Sequence, residues 1–120
     1  MKKNIIKDKS INFAVRIVKL SQYLSSSKKE YILSKQLLRS GTSVGAMVRE
    51  SEHAESTADF IHKLSIAQKE INETLYWLEL LKRTDYLDSS EFESINTDAT
   101  EIIKLLTKII ITTRKRNVNA

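Results

Sequence analysis

Two pairs of a carboxylate and a histidine are the residues of this 120-residue chain best suited to metal chemistry. They are Glu50 with His53 and Asp59 with His62, each at a spacing that places both side chains on one helix face. Four-helix di-iron proteins combine two such pairs with a glutamate from each of the two remaining helices. The inward positions of those helices offer no such carboxylates here. We therefore expect no metal and no cofactor, and interpret these polar residues as caps around a turn.

The sequence offers no other catalytic constellation, so we predict that the chain has no catalytic residues and is not an enzyme. It contains no cysteine, which excludes a thiol nucleophile, a disulfide and a thiolate metal site. No phosphate-binding glycine loop, His-Glu-x-x-His motif or nucleophile elbow occurs either.

Basic residues are concentrated in the first part of the chain. Residues 1–50 carry 11 Lys and Arg against 3 Asp and Glu, whereas residues 51–120 carry 9 against 12, for a net charge of +5. This asymmetry predicts a basic face for nucleic acid or an acidic partner, the alternative being an unevenly decorated solvated surface. Because no aromatic residues interleave with the cations, binding would follow the phosphate backbone. The candidate nucleic-acid-binding residues are Lys28, Lys29, Lys35, Arg39, Arg49, Arg114, Lys115 and Arg116.

Four amphipathic helices must position these side chains. The chain has no proline, which permits long helices. Apolar residues that recur with the helical period predict helices over about 5–25, 28–53, 57–84 and 89–115, and we expect residues 117–120 to be disordered. Links this short force neighbouring helices to run antiparallel. We predict one all-α domain spanning the chain, an antiparallel up-down-up-down four-helix bundle.

Two serines carry the signature of helix N-caps. Ser56 is followed three residues later by Asp59, and Ser90 is followed by Glu93. This spacing is typical of a capping box, in which the acidic side chain reaches back to the backbone amide of the cap residue. We therefore expect the third helix to begin at Ser56 and the fourth to begin near residues 88–91, with Ser90 as a possible cap.

Apolar residues outside the predicted core stripes indicate that the chain self-associates. We assign the inner face of the first helix to Ile11, Ala14, Ile17, Val18, Ser21 and Leu24, and that of the fourth helix to Phe92, Ile95, Ala99, Ile102, Leu106 and Ile109. A helix that is apolar on two sides is buried on two sides. The alternatives are a fully central helix or scattered surface hydrophobic residues. The candidate oligomer-interface residues are Tyr76, Trp77, Leu80, Ile103, Leu105 and Ile110.

The only two glycines, Gly41 and Gly45, both fall inside the second predicted helix. Each costs about 1 kcal/mol relative to alanine there, which close approach of a neighbouring helix would offset. The alternative is a bend or break near Gly41. Arg39 and Arg49 on either side exclude a membrane span, and no apolar run reaches the ~18 residues that a span requires. With no signal-peptide core near its start, we expect the chain to be cytoplasmic.

Four segments of the sequence resemble a known bacterial family. They are Gln36–Ala46, Ala58–Ala67, Lys69–Thr74 and Tyr76–Leu81. Over about residues 10–112 the chain resembles the bacterial four helix bundle protein family, which includes proteins encoded by intervening sequences within 23S rRNA genes. The accessory variability proteins of diversity-generating retroelements are relatives of that family.

The resemblance implies a homopentamer with a basic surface and without enzymatic activity. It also implies RNA or DNA as a partner, and a reverse transcriptase only in a retroelement context. Members often carry Asn where this chain has Met47, so any polar role of that Asn is lost here. We therefore expect a homo-oligomeric bundle that binds RNA or DNA with low sequence specificity. The alternative is a scaffold that recruits a protein partner through apolar helix faces, without nucleic acid.

Overall fold

Four helices account for most of the computed structural model, which describes residues 4–119. They are α1 (Ile5–Ser26), α2 (Leu33–Ser51), α3 (Thr57–Arg83) and α4 (Ser89–Asn119). Each helix packs on the next, and α1 closes the ring against α4. Within the described residues no strand is present.

Hydrogen bonds and ion pairs cross every helix seam in antiparallel register. They join Ser21 to Ser34, Ser40 to Thr74, Gln68 to Thr107 and Lys9 to Glu101. The predicted all-α four-helix bundle is therefore confirmed. In the part of the chain that the structure describes, no helix is long and apolar enough to cross a membrane.

One apolar stripe from each helix fills the centre of the bundle. Burying each large apolar side chain contributes about 1.5–3 kcal/mol to the free energy of folding. The largest fully buried side chains are Phe13, Ile17, Leu24, Leu37, Leu64, Ile71, Leu78, Leu81, Ile102 and Leu106.

The predicted inner stripe of α1 is wrong at three positions. Ile11 and Val18 are exposed and Ala14 is only half-buried, whereas Phe13 and Ile17 face the core. Helix α1 is apolar on two sides, and the period of its sequence does not say which side faces inward.

A similar correction applies to α4. Ile110 is buried in the core, whereas Ile109, predicted to face inward, is half-buried. Phe92 is also only half-buried.

Small residues line the seam between α1 and α2. A Cβ atom added at Gly41 would lie 2.8 Å from two carbons of Ile17, and one added at Gly45 would lie 3.4 Å from the backbone oxygen of Ser10. The seam also holds the buried Ser21, whose hydroxyl donates to the Ser34 carbonyl. Helix α2 runs without a break through both glycines, so the glycines serve close packing and not a bend.

Helix α2 begins five residues later than predicted, because the chain turns at Lys29. Lys29 has a φ of 57°, a left-handed conformation that ends helices. The next residue, Glu30, is buried, and its carboxylate accepts hydrogen bonds from the backbone amides of Ile32, Leu33 and Ser34. This side chain satisfies the amides that a helix N-terminus leaves unpaired.

The N-caps of the last two helices differ in part from the prediction. Ser56 accepts from the Asp59 amide as expected, but the Asp59 carboxylate accepts from the amide of Glu55, one residue before the cap. At α4 the cap is Asp88, which accepts from the Glu91 amide, and not Ser90. Asp88 precedes the helix, where a cap side chain can reach the third helical amide.

Helix α4 continues beyond its predicted end. It extends to Asn119, so residues 117–119 are helical where disorder was predicted, and Ala120 lies outside the described residues. No proline or glycine interrupts this stretch, so nothing in it forces the helix to end.

Candidate nucleic-acid interface

The C-terminal half of α4 is rich in cations and contains no acidic residue. Lys104, Lys108, Arg114, Lys115 and Arg116 are all exposed there, and no Asp or Glu follows Glu101 in the sequence. These five of the 20 Lys and Arg leave 15 to balance the 15 Asp and Glu elsewhere. The last 19 residues of the chain therefore have a net charge of +5, whereas residues 1–101 are neutral in sum. We call these five residues the α4 cations.

Three of the α4 cations share one side of the helix. Lys104, Lys108 and Lys115 line one shallow depression together with Thr107 and Ile111. At 1.5 Å per residue they span about 16 Å, which corresponds to the axial rise of about five phosphates on one strand of a duplex. The spacing suits contacts to a continuous phosphate backbone.

Lys108 and Arg116 also flank a second cleft, between the start of α1 and the end of α4. Its apolar floor includes Ile5, Leu105 and Ile109. The cations at this end of the bundle thus spread over adjacent surfaces of α4.

None of the α4 cations makes an ion pair with a described side chain. Five other cations are paired with carboxylates across a helix seam. The pairs are Lys7 with Glu52, Lys9 with Glu101, Arg16 with Asp98, Arg39 with Glu70 and Glu73, and Lys63 with Glu50. The α4 cations remain available for phosphates because none of them is engaged in an ion pair within the described residues.

The predicted basic residues do not form one surface. Lys28, Lys29 and Lys35 are exposed at the turn between α1 and α2, at the opposite end of the bundle from the C-terminus of α4. Arg49 is exposed near the end of α2. The sequence interpretation did not include Lys104 and Lys108. The absence of acidic residues after Glu101 could have identified them.

Arg39 is held by two carboxylates of α3. Its guanidinium lies 3.2 Å from Glu70 and also contacts Glu73. Desolvation lowers the pKa of Arg39, but the attraction and hydrogen bonds of the two carboxylates together outweigh it and raise that pKa above its ordinary value. Since its charge is already neutralised, Arg39 is a poor phosphate ligand.

The carboxylates of the two histidine pairs serve structural contacts. Glu50 pairs with Lys63 at 3.6 Å, and Asp59 accepts the amide of Glu55. His53 and His62 are both exposed. Among residues 4–119 the structure brings together no group of three His, Asp or Glu side chains that could hold a metal ion.

The predicted oligomer-interface residues divide between surface and core. Tyr76 is 59% exposed and packs edge-to-face on Trp77, with 5.0 Å between ring centroids. The indole N–H of Trp77 is buried and finds no acceptor among the described residues. Leu80, Ile103 and Leu105 are half-buried. Ile110 must be removed from this set, because it belongs to the bundle core.

A second apolar surface lies on α1 and α2, and it includes two residues of α1 that the sequence interpretation placed in the core. Ile11, Val15 and Val18 of α1 are 44%, 46% and 38% exposed, and Leu38 of α2 is 37% exposed. We call these four residues the outer apolar face. They were missed because Ile11 and Val18 were assigned to the core.

The family model of 23S rRNA-intervening sequence proteins matches residues 2–108. The chain belongs to this family. The resemblance inferred from the sequence is thereby confirmed.

A crystal structure from the S23 ribosomal protein family, of a protein with unknown function from Bacteroides thetaiotaomicron, is similar to the chain. The two are 62% identical, with a TM-score of 0.87, and the match covers 88% of this chain and 97% of the other. No curated protein matches the chain.

Proposed function

We propose that this member of the 23S rRNA-intervening sequence protein family is a non-enzymatic, self-associating bundle that binds the phosphate backbone of RNA or DNA. The α4 cations carry this proposal, because they concentrate the net charge of the chain on one helix end. Binding there is of low sequence specificity, since phosphate contacts position a protein but do not read bases.

Self-association strengthens the electrostatic field around the assembled particle. Several copies in one particle multiply the positive charge, and a duplex can then contact more than one α4. A homopentamer, the assembly implied by the family resemblance, would present five such surfaces.

The salt dependence of binding tests this proposal. The variant Lys104→Gln/Lys108→Gln/Lys115→Gln removes the aligned cations, and its affinity is measured by fluorescence anisotropy with a labelled mixed-sequence RNA duplex over a series of NaCl concentrations. Affinity falls as salt rises, and each lost phosphate contact reduces the magnitude of this slope of log affinity against log salt by about 0.9. We therefore expect the magnitude to decrease by about 2–3 for each bound protomer.

A matched variant at the other end of the bundle provides the control. Lys28→Gln/Lys29→Gln/Lys35→Gln changes the net charge equally at exposed positions, and we expect its salt slope to equal that of the wild type. Equal losses in both variants would mean that only net charge matters. A larger loss in the control would move the site to the α1–α2 turn. Absence of binding by the wild type at micromolar protein and low salt would contradict the proposal altogether.

A protein-interaction scaffold is the second candidate function, and the outer apolar face favours it. Exposed apolar residues at helical spacing are typical of surfaces that pack against another helix. This function requires no nucleic acid, so the absence of salt-dependent binding would favour it.

A further inference from the structure

Helix α1 is too short to cover the whole length of α4. The hydrogen bond between Lys9 and Glu101 fixes the antiparallel register of the two helices. This register places Ile5, the first residue of α1, level with Leu105, whereas α4 continues to Asn119. The side of α4 that faces α1 is therefore not covered by any residue of α1 over its last turns.

This uncovered side of α4 forms the floor of a cleft. Leu105, Ile109, Thr112 and Arg116 follow one another at steps of four, three and four residues, so they share one side of the helix. Together with Ile5 they line a cleft with a volume of about 540 Å³, which we call the α1–α4 cleft. Volumes of about 300–1,000 Å³ are typical of sites for small molecules.

The floor of the α1–α4 cleft is apolar and makes few demands on a ligand. Leu105 and Ile109 are half-buried and Ile5 is exposed. The Thr113 hydroxyl, which also lines the cleft, donates to the Ile109 carbonyl of its own helix at 2.7 Å. An alkyl chain lying here would therefore cover apolar surface and leave this hydroxyl satisfied.

Two cations line the same cleft. Lys108 and Arg116 are both exposed, and neither makes an ion pair within the described residues. The N-terminus of α1, capped by Asn4, also borders the cleft and adds the positive end of its helix dipole. The cleft thus combines an apolar floor with positive charge, and this combination is complementary to an anion that carries an apolar chain.

The length of the floor indicates the size of such a ligand. From Leu105 to Arg116 the helix rises about 16 Å at 1.5 Å per residue. An extended carbon chain advances about 1.2 Å per bond, so a chain of ten carbons reaches about 11 Å and leaves room for a carboxylate. The phosphate backbone of a nucleic acid offers no apolar group for this floor.

We infer that the α1–α4 cleft binds a carboxylate with an unbranched alkyl chain of about ten carbons. The carboxylate pairs with Lys108 and Arg116, and the chain lies on Leu105 and Ile109. This site goes beyond the proposed function, because it requires neither nucleic acid nor self-association. Since Lys108 and Arg116 are also α4 cations, the bound carboxylate competes with phosphates for them.

Calorimetric titration of the purified full chain with sodium decanoate tests the inference. We expect saturable binding of one decanoate per chain in the absence of nucleic acid. Octanoate has two methylenes fewer and should bind more weakly by up to about 16-fold, since each buried methylene contributes up to about fourfold in affinity. Decyltrimethylammonium, which has the same chain and a positive charge, should not bind.

Variants locate the site. Lys108→Gln/Arg116→Gln should weaken decanoate binding by about five- to thirtyfold, because each exposed ion pair contributes up to about fivefold in affinity. The matched control is Lys104→Gln/Lys115→Gln, which removes the same charge from α4 positions outside the cleft and should bind decanoate like the wild type. Ile5→Gln, at an exposed position of the floor, should also weaken binding. Circular dichroism verifies that each variant is folded.

Three results would overturn the inference. They are the absence of saturable decanoate binding, equal affinities for decanoate and octanoate, and equal losses in the cleft variant and its control. Failure of the proposed function is separate, because RNA binding is measured in its own titration. A chain that binds RNA but not decanoate rejects only the cleft inference, whereas the reverse result rejects only the proposed function.

Discussion

Gly41 and Gly45 occupy the same seam but tolerate a side chain differently. A methyl group at Gly41 would meet two carbons of the fully buried Ile17 at 2.8 Å, whereas one at Gly45 would make nearly ordinary contact with the Ser10 carbonyl at 3.4 Å. Both substitutions gain about 1 kcal/mol of helix propensity. The difference between them is therefore a difference in packing.

We expect Gly41→Ala to lower the free energy of unfolding by up to about 2 kcal/mol, because overpacking a core costs about 1–3 kcal/mol and the gain in helix propensity returns only about 1 kcal/mol. Gly45→Ala should leave the free energy of unfolding unchanged or raise it by up to about 1 kcal/mol. Urea denaturation of both variants measures these changes. If the two variants are equally stable, contact with Ile17 does not limit position 41.

At the scale of the helices, two turns contain residues in left-handed conformation. Lys29 follows α1 with a φ of 57°, and Asp85 follows α3 with a φ of 66°. This conformation costs roughly 1–2 kcal/mol for most residues but less for aspartate, whose side chain can hydrogen-bond locally. The turn before α2 is thus the more strained of the two.

Lys29→Gly should raise the free energy of unfolding by about 0.5–1 kcal/mol, since glycine adopts positive φ without steric cost but adds entropy to the unfolded chain. Asp85→Gly is the comparison and should produce a smaller gain. Thermal denaturation followed by circular dichroism measures both variants. A loss of stability in Lys29→Gly would show that its side chain contributes more than its backbone conformation costs.

At the scale of the whole molecule, the end of α4 contributes charge and little core. Among the residues of α4 whose burial is described, Ile110 is the last buried one, and residues 111–117 are exposed or half-buried. Truncation after Thr113 removes Arg114, Lys115 and Arg116. Stability and nucleic-acid binding should therefore separate in the truncated chain.

We expect the truncated chain to unfold at nearly the same urea concentration as the full chain. The magnitude of its slope of log RNA affinity against log salt should decrease by up to about 3. The anisotropy titration described for the lysine variants measures the slope. If the truncated chain is unfolded, the end of α4 contributes to the bundle core and this expectation is wrong.

The sequence by itself determined the four helices, their antiparallel order and the family. Helical period, absent prolines and cap residues such as Ser56 act locally, so they can be recognised without knowing the packing partners. The starts of α1 at Ile5 and α3 at Thr57 coincide with their predicted positions for this reason.

Only the tertiary structure decided which side of α1 faces the core and which cations remain available. Helix α1 is apolar on both sides, and the packing of the other helices selects Phe13 and Ile17 over Ile11 and Val18. Arg39 is bound by two carboxylates that lie more than 30 residues away in the sequence, so it is not available to phosphates. The physical reason is shared: burial and ion pairing depend on which neighbour lies opposite a side chain, and that neighbour is set by the assembled bundle.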